Sequence, residues 1–176
     1  MASINDAVAV LDYRLGFDRA RSRTIARRLQ ESGLLPSGAP GVGPIIGLDH
    51  FMNFAMARAI DPALHVVADA VRKYGAMTPG GASLVGASKH IPTARQRLAD
   101  LAAMALGSMD EQAMLASSAI EFVTTWPEIV VSSQFGVERF RSVGDLASHW
   151  DATTHRSATA IPSAALGAAV RDLFQE

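Results

Sequence analysis

With 176 residues, of which 49% are hydrophobic and 19% charged, the chain can bury a full core, which excludes a disordered protein. The net charge of −1 excludes a protein that coats nucleic acid along its whole surface, so any affinity for DNA requires a local basic patch. Cysteine is absent, which excludes disulfides, thiol nucleophiles and cysteine-based zinc sites.

The first residues, Met-Ala-Ser-Ile, lack the basic and apolar regions of a secretory signal. The chain also contains no run of about 18 apolar residues, the length that a membrane-spanning helix needs. We therefore expect a cytoplasmic protein that does not enter a membrane.

Helical periodicity and helix-end signals predict four helices in the first 76 residues. Ser3, with an acid three residues later, caps the first helix, and Gly16 ends it. Asp18 caps the second helix, which ends at Gly33, and Asp61-Pro62 begins the fourth. The predicted helices cover about residues 4–14, 19–32, 50–60 and 63–74.

The rest of the chain has a mixed pattern. A Gly-, Ser- and Pro-rich connection is followed by a helix over about 93–106 and a short helical piece over about 110–117. The β-branched and aromatic run 120–132 predicts strand, with Pro127 marking an edge strand or a break into two strands. Residues 137–141 return antiparallel, and a last helix covers 163–174.

These elements predict an α+β fold that is mainly α, in two units. Residues 1–76 form a helical domain of helix-turn-helix type, and residues 77–91 form a linker. Residues 92–176 form a small α+β unit, a helix plus an antiparallel hairpin, for oligomerisation or effector binding. The exposed edge strand that we expect there suits pairing with a two-fold related copy, and hence a homodimer or higher oligomer.

Basic charge is concentrated in the second helix. Between Leu11 and Gln30 there are six arginines against two aspartates, whereas residues 100–128 hold no Lys or Arg. On a helix, Ser22, Ile25, Ala26 and Leu29 gather on one side, which can pack while the opposite side stays cationic. Such a helix suits contacts with phosphates or guanine edges. The candidate DNA-binding residues are Arg19, Arg21, Arg23, Thr24, Arg27 and Arg28, with Ser37 in the Gly- and Pro-rich loop that follows.

The segment from Ser3 to about Ile60 resembles the winged helix-turn-helix domains of bacterial and phage regulators. The resemblance rests on the GFD turn, the run RSRTIARRLQESGLLPSG and the helix-opening LDHF. It covers about a third of the chain, and its motifs are of moderate specificity. It implies that the arginine-bearing side of the second helix faces DNA and that the loop 38–43 is the wing.

Signals for catalysis are absent from the sequence. There is no GxSxG or HExxH, and the glycine-rich stretch 80–86 lacks the Lys-Ser/Thr of a phosphate loop. His149 and His155 with Asp151 come nearest to a metal set, but scattered histidines are the simpler interpretation. We expect no enzyme activity, no cofactor and no metal.

The sequence therefore predicts sequence-directed, non-catalytic binding of double-stranded DNA, most simply by a bacterial or phage transcriptional regulator. One alternative is a DNA-packaging recognition subunit resembling phage small terminases. The other is an adaptor or inhibitor whose arginines dock an acidic protein partner.

Overall fold

Helices supply most of the regular structure. The computed structural model describes residues 2–38, 43–87, 91–145 and 155–175. Within these ranges the helices are α1 (Ile4–Leu15), α2 (Arg19–Glu31), α3 (Leu48–Ile60), α4 (Val67–Gly75), α5 (Ala94–Met104), α6 (Met109–Ala116) and α7 (Ser163–Phe174). The strands are β1 (Ala2–Ser3), β2 (Ile45–Ile46), β3 (Thr78–Pro79), β4 (Ala119–Val123), β5 (Glu128–Ser133), β6 (Gly136–Arg141) and β7 (Ala158–Pro162). The predicted fold class, α+β and mainly α, is confirmed.

The ends of the first two helices follow from local chemistry. The backbone N–H of Asp6 donates to the Ser3 hydroxyl at 3.2 Å, and the Asp6 carboxylate accepts the Ser3 N–H at 2.9 Å, completing a capping box. Asp18 accepts a backbone N–H of the first turn of α2 at 2.7 Å. Gly16 and Gly33, with φ of 71° and 73°, adopt the left-handed conformation that follows a helix. The predicted ends of α1 and α2 are thus confirmed.

The fourth helix begins later than predicted. Asp61 does not cap it, because Asp61 ends α3 in the left-handed region, with φ of 42°, and its N–H donates to the Ala57 carbonyl at 3.0 Å. The Asp61 carboxylate accepts hydrogen bonds from the side chains of Arg21 and Arg58 instead of capping the turn that follows. A 3₁₀ turn, Leu64–Val66, comes before α4.

In the described part of the chain, five antiparallel strands form the main sheet in the order β3-β6-β5-β4-β7. The predicted strand run breaks into two strands around Pro127, and β4 pairs with β5 in the register Ile120 opposite Val131. Strand β6 returns antiparallel, as predicted. The edge strands β3 and β7 are additional to the prediction.

Helices from both ends of the chain share one buried core with the inner face of the sheet. The rings of Phe51 in α3 and Phe174 in α7 meet edge to face, with centroids 6.1 Å apart. Part of the predicted linker 77–91 is strand β3, while residues 88–90 lie outside the described residues. The division into two units stays a prediction, and the two parts pack on each other.

Across the described part of the chain, none of the helices has the length and apolar character needed to span a bilayer.

Candidate nucleic-acid interface

A three-residue turn joins α1 to α2. Gly16 donates its N–H to the Asp12 carbonyl at 2.9 Å, and Phe17 donates to the Leu11 carbonyl at 3.1 Å. Asp18 then caps α2. A turn of this length with a glycine is one feature of helix-turn-helix motifs, although such turns also join helices that do not bind DNA.

The inner side of α2 packs as its apolar spacing predicts. Ser22, Ile25, Ala26 and Leu29 are all buried. Leu35, just beyond the helix, is buried as well. This stripe fixes α2 to the core, so the orientation of its outer side is defined.

The outer side of α2 is exposed and carries most of the predicted site residues. We name this surface the arginine face; it consists of Arg19, Arg23, Thr24, Arg27 and Arg28. The side chain of Arg27 is 81% exposed. The Thr24 hydroxyl donates to the Ala20 carbonyl at 3.0 Å, and its oxygen can still accept or be approached from solvent.

Carboxylates neutralise part of the arginine face. Arg19 Nε lies 2.6 Å from Asp12 Oδ2. Arg27 Nε and Arg28 Nη1 both contact the Glu31 carboxylate, at 3.1 and 2.7 Å. These hydrogen bonds, that from Arg28 foremost, hold the pKa of Glu31 below its usual value, so Glu31 is charged at neutral pH.

Among the described residues, Arg23 has no carboxylate partner. The balance of six arginines against two aspartates is therefore too simple a description of this surface. Glu31, which directly follows the segment from Leu11 to Gln30, adds a carboxylate to this surface, whereas Asp61 pairs with Arg21 and Arg58 outside it. The cationic excess is smaller than the sequence count indicates, and it is centred on Arg23.

Arg21 differs from the other candidate residues. Its Nε donates to Asp61 Oδ1 at 2.8 Å, and its Nη2 donates to the Pro62 carbonyl at 2.7 Å. Both acceptors lie at the end of α3. The structure thus places the Arg21 guanidinium against the protein, outside the arginine face.

A buried arginine that sequence reasoning missed lies behind α2. Arg58 is 6% exposed; its Nε donates to Ser22 Oγ at 3.0 Å, and its Nη1 donates to Asp61 Oδ1 at 2.9 Å. Its guanidinium also lies over the Phe17 ring, 5.2 Å from the centroid. Burial lowers the pKa of Arg58, and the charge of Asp61 opposes that shift. The available signal was a single charged residue, Arg58, in the largely apolar stretch FMNFAMARAI.

The structure describes only the two ends of the loop predicted to be a wing. Ser37 is exposed in a segment without regular structure, and residues 39–42 of the predicted wing lie outside the described residues. Strand β2 follows this loop, but it pairs with β1, before α1, and not with the residues that precede the loop. The described flanks of the loop therefore do not form a β-hairpin of their own.

The chain matches no protein-family model, no curated protein and no solved structure. The resemblance to winged helix-turn-helix domains thus depends only on the residues quoted for it.

Proposed function

We propose that this protein binds double-stranded DNA without catalysis, with the arginine face of α2 as the contact surface. The observation that supports the proposal is the combination of a short glycine-containing turn with a second helix whose inner side is buried and whose outer side exposes four arginines. Transcriptional regulation by a homodimer, in a bacterium or phage, is the simplest role for such a protein.

Arg23 supplies the uncompensated charge for a phosphate or a guanine edge. Arg19, Arg27 and Arg28 contribute after exchanging Asp12 and Glu31 for phosphate oxygens. Exposed ion pairs of this kind add little stability because water screens them, so polyanionic DNA can displace them.

Arg21 has a different role in the proposal. Because its guanidinium is bound at the end of α3, it holds α2 in place, together with Arg58. Ser37 follows α2, and the bond from Gln30 Nε2 to the Pro36 carbonyl, at 3.1 Å, ties the start of its loop to the helix. In the proposal, Ser37 contacts the backbone of the same duplex.

The test is a titration of labelled duplex DNA, followed by fluorescence anisotropy at about 50 and 200 mM salt. Arg23→Ala/Arg27→Ala removes two charges from the arginine face. Arg97→Ala/Arg171→Ala removes two charges from α5 and α7 and serves as the matched control. We expect the first variant to lose about tenfold or more in affinity and to flatten the salt dependence, with the control close to wild type.

Equal losses in both variants would mean that the binding is diffuse, and would refute a defined face. No binding of wild type at the lower salt would refute DNA binding altogether. An acidic protein partner for the arginine face would then be the remaining interpretation. A ring of many subunits on DNA would favour the packaging role over regulation.

A further inference from the structure

A cavity of about 570 Å³ lies between the end of α3, helix α4 and the turn that joins β4 to β5. Small-molecule sites in proteins have volumes of about 300–1,000 Å³ and mainly apolar walls with a few polar groups. The lining fits this description, with Ile60, Val66 and Tyr74 among its apolar residues and Asp61, Asp69 and Lys73 as its charged ones.

The walls of the cavity are mostly apolar and partly rigid. Tyr74, only 4% exposed, donates its hydroxyl to the Val123 carbonyl at 2.6 Å, which fixes the ring between α4 and the sheet. Burial raises the pKa of Tyr74 to about 12, so the hydroxyl stays protonated and keeps that bond. Tyr74 therefore offers the cavity an aromatic surface, next to Ile60 and Pro127.

The three charged side chains of the lining differ in the hydrogen bonds that they make within the described part of the protein. Asp61 Oδ1 accepts hydrogen bonds from two arginines, Arg21 and Arg58. Asp69 Oδ1 accepts one from Arg72 at 3.1 Å. Among the described residues, the exposed Lys73 has no such partner. Both carboxylates of the lining thus accept hydrogen bonds from arginines, whereas the ammonium of Lys73 has no carboxylate partner among the described residues.

We propose that this cavity binds a small amphipathic anion, a carboxylate with an aromatic or aliphatic body. The carboxylate contacts the Lys73 ammonium, and the apolar body packs on Ile60, Val66 and Tyr74. Binding of a cation is disfavoured, because Asp61 and Asp69 already accept hydrogen bonds from arginines. This site is separate from the proposed DNA contact, and its test contains no DNA, so either proposal can fail without the other.

The test is a titration of the full chain with 4-phenylbutyrate and with its neutral amide, 4-phenylbutyramide, followed by ¹H–¹⁵N NMR. The two probes differ in charge and share the apolar body. We expect amide shifts at Val66, Ala70 and Tyr74, with the amide binding at least about fivefold more weakly, because it loses the charge-assisted hydrogen bond.

Three variants sharpen the test. Lys73→Met keeps the apolar stem and removes the charge, so it should bind the acid and the amide equally. Arg171→Met removes a positive charge from α7, away from the cavity lining, and should leave binding of the acid within about twofold of wild type. Ala70→Phe fills the cavity and should abolish binding of both probes while the spectrum stays folded.

Equal affinity of wild type for the acid and the amide would overturn the assignment of Lys73. Shifts at residues remote from the cavity, or no shifts at millimolar acid, would overturn the site itself.

Discussion

Arg58 Nε donates a 3.0 Å hydrogen bond to Ser22 Oγ, so a buried guanidinium of α3 is fixed to the inner side of α2. The same hydroxyl donates to the Asp18 carbonyl at 2.8 Å. A small hydroxyl thus connects the core to the helix that we propose as the DNA contact. Removing it leaves a buried N–H group without an acceptor, which costs more free energy than losing an exposed hydrogen bond.

We therefore predict that Ser22→Ala lowers the free energy of unfolding by about 1–3 kcal/mol, measured by urea denaturation. Thr24→Ala is the matched control. It also deletes a hydroxyl that bonds a carbonyl four residues back, but on the exposed side, and should cost less than about 0.5 kcal/mol. In DNA titrations the order should reverse, with Thr24→Ala weakening binding while the protein stays fully folded. Equal destabilisation by the two variants would contradict a special role for the Ser22–Arg58 bond.

Removing the carboxylates that pair with the arginine face should strengthen DNA binding instead of weakening it. Asp12→Asn and Glu31→Gln should each raise DNA affinity by about two- to fivefold, because they release Arg19 or the pair Arg27 and Arg28 and remove a repulsive charge. Asp110→Asn, at an exposed position of α6, makes the same change in net charge elsewhere. An equal gain in this control would show that net charge, and not the arginine face, governs binding.

Two neighbouring glycines in the predicted linker, Gly80 and Gly81, have different surroundings. Substituting each of them tests whether this segment is a free linker or a packed turn. Gly80 and Gly81 both have positive φ, but a Cβ at Gly80 meets open space, whereas one at Gly81 would lie 2.5 Å from the Asp145 carbonyl oxygen. Gly80→Ala should cost about 1 kcal/mol for the left-handed backbone alone. Gly81→Ala should cost at least about twice that, because backbone must move. Equal melting temperatures for the two variants would refute a packed turn at Gly81.

The sequence predicts elements whose signals are local. The caps at Ser3 and Asp18 and the left-handed glycines at Gly16 and Gly33 act within one turn, so the bounds of α1 and α2 follow from neighbouring residues. The turn at Pro127 divides the strand run for the same reason, because proline cannot donate to a ladder. The exposed and buried sides of α2 likewise follow from its period.

Contacts between residues that are far apart in the sequence cannot be predicted from such local signals. Asp61 is 40 positions from Arg21, and nothing near either residue shows that they meet. Strand β7, with two alanines and a proline among its five residues, has little strand signal of its own, and it forms by pairing with the edge of β4. The count of arginines in the sequence therefore gives too large an unpaired positive charge on α2, and the sequence pattern does not predict the edge strands β3 and β7.

The sheet contains a buried carboxylate with a defined response to pH. Glu128, 1% exposed, accepts hydrogen bonds from Arg141 Nε at 2.9 Å, Trp126 Nε1 at 3.2 Å and Arg139 Nη1 at 3.3 Å. Burial raises the pKa of Glu128, but the bonds from Arg141 and Trp126 and the charge of Arg139 together outweigh it. The pKa therefore lies below its ordinary 4.5.

A folded-state pKa below the unfolded value adds stability that is complete above the unfolded value and is lost as the pH falls through the folded one. We predict that Glu128→Gln lowers the free energy of unfolding at neutral pH by about 3 kcal/mol, because it removes the buried negative charge that accepts hydrogen bonds from Arg139 and Arg141. Below about pH 4.5 the difference from wild type should shrink, because the unfolded chain takes up a proton at Glu128 before the folded protein does, and the stability added by the charged carboxylate is lost as the pH falls through the folded-state pKa. Urea denaturation across pH 3–7, with a ¹³C NMR titration of the Glu128 carboxyl, measures both effects. A Glu128 pKa above 4.5, or a stability difference that does not change with pH, would contradict the prediction.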